Sequence, residues 1–332
     1  MLNAKLIFFK IYNLIAKKSR NTWMWKRIFN FGDHVFVYNV EHYTDEAGLN
    51  FKKFILNSNM PQVLSELNNG LDTDSKDVIN QKLEHIMELP TYGTKYHELI
   101  RSSSRRKLLY TDFQNAERLN FCKSLPSIKQ KLNFLNYAPE VVFYHHGLRL
   151  LDSAVTSMIR GGVVLDVGAS FGDSAVIFLK NYEPEQVLSF ELTNDTQLSE
   201  KNYFSTILSN NVDPSRVKFI PFGVSSKTFT KNSFNFVSID DYCDKFSNIK
   251  LIKADIEGFG FLAIQGAKEV IRRHKPILIF SIYHSPMEFF LIKPYIEKLN
   301  LGYSFKILNL NFSVSCEMET TLICIPPSLG NR

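Results

Sequence analysis

The sequence predicts an α/β protein: a doubly wound, mostly parallel sheet that ends in an antiparallel hairpin and follows a mainly helical N-terminal region. Three observations point there. After residue 160 short apolar runs alternate with amphipathic stretches, the first run enters a glycine-bearing turn, and two strand-like runs close the chain with little between them. Apolar strands separated by helices need both sheet faces covered, which is the usual setting of parallel pairing.

The elements follow in order. Val163–Val167, Gln186–Glu191, Val217–Val224, Ile249–Ile256 and Ile277–Tyr283 read as strands. Gly172–Asn181, Asp195–Ser209, Phe259–His274 and Glu288–Leu299 read as the helices around them. Tyr303–Asn311 and Glu319–Ile325 form the closing hairpin, so at least one strand at the end of the sheet is antiparallel. Upstream, the pattern from Phe51 towards Leu150 is helical and rich in connectors. Thr73 or Asp74 is the expected cap of a helix through Val78, Ile79, Leu83, Ile86 and Met87 that ends before Pro90. Phe113–Leu125 is a second helical stretch, and Arg101–Lys107 a polar connector. The expected division is residues 1–140, a mainly helical region with a basic arm, and 141–332, the domain that carries the chemistry.

Charge and cysteines narrow the function classes. The chain has 332 residues and a net charge of +6, but residues 1–32 hold seven Lys and Arg and no acid, so the other 300 sum to −1. The body therefore offers no electrostatic basis for binding nucleic acid. The basic arm, with Trp23 and Trp25 near it, is read chiefly as a solvated helix packed on the body. Weak contact with an anionic membrane surface through residues 1–32 is the sharper alternative. Lys5 and Lys10 interrupt its apolar stretch, and no cleavage pattern follows, so it is not read as a signal peptide. The four cysteines are far apart, which gives neither a zinc site nor a disulfide framework and suits a reducing cytoplasm. A place at the inner face of the membrane stays compatible with the arm.

Ligands of open parallel sheets bind at the carboxyl ends of the strands, near the point where strand order reverses. The first strand presents Asp166 and then the turn Gly168, Ala169, Ser170; the second, about twenty residues on, presents Glu191. A glycine there lets backbone approach a ligand, and the carboxylate can hold ribose hydroxyls. Ser170 stands where a dinucleotide fold needs its second glycine, so the turn suits S-adenosylmethionine (SAM) better than a nicotinamide dinucleotide. Gly223 and Ser225 could line the adenine side. On the fourth strand alternation places Lys253, Asp255 and Glu257 on one face, where three ionisable groups must pair, reach solvent or form a site. The fifth ends at Tyr283 and His284. The adjoining His145 and His146 read as a surface pair. A parallel sheet finished by a hairpin fits the class I methyltransferase fold better than a nicotinamide dehydrogenase.

These motifs together resemble the FkbM family of SAM-dependent methyltransferases. The resemblance is carried by LDVGASFGDSA at 165–175, LSFE at 188–191, VSIDDYC at 237–243, IKADIEGFGFLAIQGA at 252–267 and SIYHSPMEFF at 281–290. ETTLICIP at 319–326 resembles the family's final strand. It covers about residues 140–326, and its most specific part is K-x-D-x-E-G at Lys253–Gly258. It implies that Asp166, Gly168 and Glu191 bind SAM and that Asp255 and Glu257 lie beside the transferred methyl. The family usually carries a further acid two residues after that last glycine, where this chain has Gly260.

The expected activity is SAM-dependent transfer of a methyl group to oxygen. Asp255 or His284 would act as base, with Lys253 tuning the pair. The resemblance implies a glycan or other small hydroxylated acceptor, in surface polysaccharide or natural-product assembly. A non-catalytic SAM-binding partner of a biosynthetic complex is the second reading, and an NAD-linked oxidoreductase the third. A divalent metal on Asp255 and Glu257 has only two carboxylates behind it and is not supported. The N-terminal region could shape the acceptor pocket or a homodimer contact.

Overall fold

The computed structural model describes residues 30–31, 34–35, 48–88, 139–310 and 320–327. Its larger helices are α1 (Gly48–Asn57), α2 (Met60–Asn68), α3 (Thr73–Glu88), α4 (Asp173–Asn181), α5 (Thr196–Ser209), α6 (Gly260–Gln265), α7 (Lys268–His274) and α8 (Pro286–Lys298). The main sheet contains β1 (Val163–Val167), β2 (Gln186–Phe190), β3 (Val217–Ile220), β4 (Ile249–Ala254), β5 (Ile277–Ser281), β6 (Ser304–Asn309) and β7 (Thr320–Ile325). Their spatial order is β6–β7–β5–β4–β1–β2–β3. β1 to β5 pair in parallel, while β7 lies antiparallel between β5 and β6. The chain winds outward from β1 to β3, then returns to the centre and winds the other way from β4. The reversal puts the carboxyl ends of β1 and β4 side by side, and the architecture is class I methyltransferase-like.

β1 and β5 are buried along their whole length because helices cover both faces. One face packs Leu165, Phe190, Ile252 and Phe280 against α6, α7 and α8. The other packs Val164, Val187, Leu251 and Ile279 against α4, α5 and residues 142–159. The N-terminal helices join the first of these cores: Phe51, Leu67 and Ile79 are buried in one cluster with Phe289, Phe290 and Phe305. Each side chain of this size contributes roughly 1.5–3 kcal/mol when fully buried. Lys293 of α8 is buried with them, donating to the Glu66 and Asn69 carbonyls and pairing with Glu297 at 2.7 Å. The helical turn Pro139–Val142 straddles the expected division at 140/141.

Four sequence expectations need correction. The third strand stops at Ile220, before Pro221, which has no N–H to donate to a ladder. Gly223–Val224 instead joins Phe229–Lys231 and Phe234–Val237 in a separate small sheet. The single helix expected over 259–274 is broken at Gly266, whose carbonyl accepts from Asp240 N at 2.7 Å. A β-carbon there would lie 2.2 Å from the Ser225 carbonyl, so the break is where the small sheet docks. The cap of α3 is Asp72, not Thr73 or Asp74, with its Oδ1 accepting from Ser75 N at 2.9 Å.

The fourth correction is the histidine pair. Both residues adopt left-handed backbone, φ 50° and 57°, and the chain turns inward there. His146 is buried with Nε2 2.8 Å from Ser174 Oγ, and His145 Nδ1 lies 2.8 Å from the Tyr182 hydroxyl. Burial pushes the His145 ring down to about 4 and His146 well below the usual histidine range, so both stay neutral. The stretch Phe113–Leu125, the connector Arg101–Lys107 and nearly all of the basic arm lie outside the described residues. No described helix is long and apolar enough to cross a membrane.

Candidate active site

The turn after β1 is built by close backbone approach. Gly168 N and Ala169 N both donate to the Phe190 carbonyl, at 2.9 and 3.0 Å, which ties the turn to the end of β2. Gly168 has φ +82°, and a β-carbon there would lie 1.9 Å from the Asp255 carbonyl oxygen. Only glycine fits, and the turn therefore touches the chain leaving β4. Ser170 N donates to Glu191 Oε2 at 2.6 Å. One carboxylate oxygen is thus spent in holding the turn. Burial raises the Glu191 carboxyl above its usual range, against the pull of the Ser170 amide and of Lys253. The fit to a nucleoside rests on this donor set: a half-buried carboxylate, fixed beside a glycine turn, can accept from ribose hydroxyls.

Beneath the turn lies a dry ion pair. Asp166 and Lys253 are register partners on β1 and β4, and their side chains are 0% and 4% exposed. Lys253 Nζ stands 3.1 Å from Asp166 Oδ1 and donates to the Gly168 carbonyl at 2.9 Å. Burial pushes the Asp166 carboxyl up and Lys253 opposes it; the Asp166, Asp255 and Glu191 charges hold Lys253 protonated despite its burial. Asp166 is thus sealed under the turn, and Lys253 is the cation that three carboxylates share.

At the open end of β4 and β5 the charges are arranged differently. His284 Nε2 is 3.4 Å from both Asp255 Oδ1 and Glu257 Oε2, and its Nδ1 is 3.7 Å from Glu288 Oε2. The imidazole is 5% exposed and Glu288 1%, whereas Asp255 is 29% and Glu257 69% exposed. The cluster therefore opens to solvent on its Asp255–Glu257 side. Burial alone would lower His284, but Glu288, Asp255 and Glu257 outweigh it and raise the ring to about 9. Near neutral pH it is an imidazolium. Tyr283 packs on it with ring centroids 3.9 Å apart.

Of the residues singled out in the sequence, Gly168, Ala169, Ser170, Glu191, Asp255, Glu257 and His284 gather at one edge of the sheet. Lys253 and Asp166 lie below it. Gly223 sits in the small sheet, where a β-carbon would meet the Phe236 ring at 2.7 Å, so packing accounts for its lack of a side chain. In the VSIDDYC stretch Ser238 caps its own helical turn, and Asp240 accepts from Glu269 N and Val270 N at the start of α7. These are structural roles. The residue missed in the sequence is Glu288. It stands four residues after His284, which precedes the Ser285 cap of α8. Among the described residues no group of three or more His, Cys, Asp or Glu has the geometry to hold a metal ion.

Comparison with known proteins bears on the same region. The solved structure of a methyltransferase FkbM from Methylobacillus flagellatus KT is 20% identical, covering 69% of this chain and 60% of its own, with a TM-score of 0.45. A precorrin-6y C5,15-methyltransferase from Geobacter metallireducens GS-15 is 10% identical over 47% of this chain and 72% of its own, with a TM-score of 0.33. Aeropyrum pernix fibrillarin, solved with natively bound S-adenosyl-L-methionine, is 9% identical over 51% and 68%, with a TM-score of 0.36. This chain thus spans under two thirds of the length of the FkbM structure. No curated protein matches. The family model "Methyltransferase FkbM domain" matches residues 180–305, from the end of α4 to the start of β6, and so includes Glu191, Asp255, Glu257, His284 and Glu288.

Proposed function

We propose that this protein is a SAM-dependent methyltransferase that modifies a hydroxyl oxygen of a sugar or another hydroxylated metabolite. The observation that carries this reading is the contact between the cofactor-type turn and the reactive strand end. The Gly168 turn, tied to Glu191 through Ser170 N, lies against the Asp255 backbone. A ligand held by the turn is then within reach of the Asp255 carboxylate.

In this reading Glu191 accepts from the ribose hydroxyls, and the closely packed backbone of the Gly168–Ser170 turn lines the nucleoside. Asp166 and Lys253 support that turn from below. When bound, SAM supplies an electrophilic methyl group on a sulfonium. The hydroxyl proton passes to Asp255, because His284 is already protonated near neutral pH and has no lone pair to offer. Holding acceptor and methyl in line is the larger part of the task, worth several kcal/mol in well-aligned systems.

Calorimetry with SAM, its demethylated product and NADH tests the cofactor. Dissociation constants for SAM and product below about 1 mM are expected, corresponding to at least ~4 kcal/mol. Binding of NADH alone would sink the reading. Turnover on hydroxylated glycan acceptors should fall roughly 10²- to 10⁴-fold in Asp255→Asn, the range of a lost general base. Unchanged turnover removes Asp255 from the mechanism.

A further inference from the structure

We infer that Glu288 is a positioning residue of this site, delivered from α8 into the space that a side chain at position 260 would occupy, where it holds the His284 ring against Asp255. The inference rests on the methyltransferase reading for its purpose, though not for its test.

Three observations carry it. Gly260 has no side chain, and a β-carbon built there would lie 2.7 Å from Glu288 Oε1. Glu288 Oε1 accepts from Gly260 N at 2.8 Å, so the carboxylate is anchored in that space and not merely near it. Glu288 Oε2 is a buried oxygen that makes no hydrogen bond and faces His284 Nδ1 at 3.7 Å. A buried carboxylate oxygen left without a hydrogen bond costs stability unless a charge compensates it. The imidazolium is that charge.

The local sequence explains why the carboxylate is free to do this. Ser285 caps α8, its Oγ accepting from Glu288 N at 3.3 Å, and Glu288 stands three residues later. Ser-x-x-Glu is the pattern of a capping box, in which the glutamate turns back to the cap residue's own amide. Here the carboxylate instead crosses to the α6 amide and the His284 ring. The start of a helix suits an anion there through its dipole. Around the ring the charged groups are Asp255 and Glu257, from the loop after β4, and Glu288 from α8. Tyr283 covers one face. Glu288 is the buried one of the three carboxylates, so its charge is the least screened by water. Deprived of it, the ring would keep only its two more exposed partners on Nε2, and nothing would fix Nδ1.

The test is a titration of the full-length protein labelled with ¹⁵N-histidine, following the ring nitrogens by long-range correlation spectra. The His284 signal is identified by its loss in His284→Gln. The wild-type ring should titrate near 9. In Glu288→Gln, whose amide oxygen can still accept from Gly260 N, the midpoint should fall by about one unit or more, the usual effect of an adjacent carboxylate. An unchanged midpoint overturns the inference. If that variant does not fold, Gly260→Ala serves in its place: all charges remain, but the new methyl displaces the carboxylate, and the midpoint should move in the same direction. There too, an unmoved midpoint overturns it. Calorimetry with SAM separates the two claims. If the wild type fails to bind SAM, the methyltransferase reading fails while the titration still decides the role of Glu288.

Discussion

Two charged clusters meet at the end of β4, and they are built on opposite plans. Lys253 and Asp166 form a matched pair, sealed under the Gly168 turn and bonded to its carbonyl. Two residues further on, Asp255 belongs to a cluster in which three carboxylates surround a single imidazole, open to solvent on one side. The first is balanced and dry, the second acid-rich and accessible. A buried pair fixes backbone because breaking it strands a charge; an excess of carboxylates open to solvent can leave one able to take a proton. The end of β4 thus supplies a sealed ion and a solvent-accessible carboxylate two residues apart. They differ because the strand ladder ends at Ala254, where the chain leaves the sheet.

The comparison predicts its largest stability effect at the sealed pair. Lys253→Met should lower the free energy of unfolding by about 3–5 kcal/mol, because Asp166 would remain buried without a partner. Adding Asp166→Leu should recover much of that loss, since replacing both members of a buried pair is far less costly than removing one. Urea unfolding of the two variants beside Asp255→Asn checks the contrast. A Lys253→Met protein as stable as Asp255→Asn would erase the distinction between the clusters.

A pH dependence follows from His284. Its folded pKa of about 9 lies above the unfolded value near 6.5, so the stabilisation is fully present below pH 6.5 and disappears as pH rises through about 9. The shift corresponds to on the order of 3 kcal/mol. The difference in unfolding free energy between wild type and His284→Gln should therefore be larger at pH 6 than at pH 10. A difference that stays flat across that interval would mean that the ring is not charged in the folded protein.

A third effect concerns the junction between the clusters. Gly168→Ala forces a side chain into left-handed backbone, which alone costs roughly 1–3 kcal/mol, and drives it against the Asp255 carbonyl as well. Because that contact joins turn to strand end, SAM affinity should fall together with stability. Calorimetry that finds SAM affinity intact in a destabilised variant would show the turn and the Asp255 end to be independent.

Much of this arrangement was legible in one dimension. The apolar runs at 163–167 and 277–283 became β1 and β5, the latter ending at Ser281, and the K-x-D-x-E-G stretch and the Gly168 turn announced charged groups at the ends of neighbouring strands. These signals are local, set by side-chain period, by the absence of a β-carbon and by the spacing of acids. Contacts between distant segments were not legible. Nothing near Gly260 says that Glu288 fills its space, since the two are joined only when α8 packs beside α6. Similarly, His145 and His146 read as surface residues because neighbours on a regular element point apart, yet left-handed backbone at both turns them inward.

The positions of the strands other than the third, and the glycine turn after β1, were written in the sequence, because each depends on residues within about one element's length. Which carboxylate is sealed, which is exposed, and which comes from another helix to hold an imidazolium were decided by tertiary packing. A charge takes its chemistry from the water and the partners left around it, and those are settled only when the sheet and α8 close on one another.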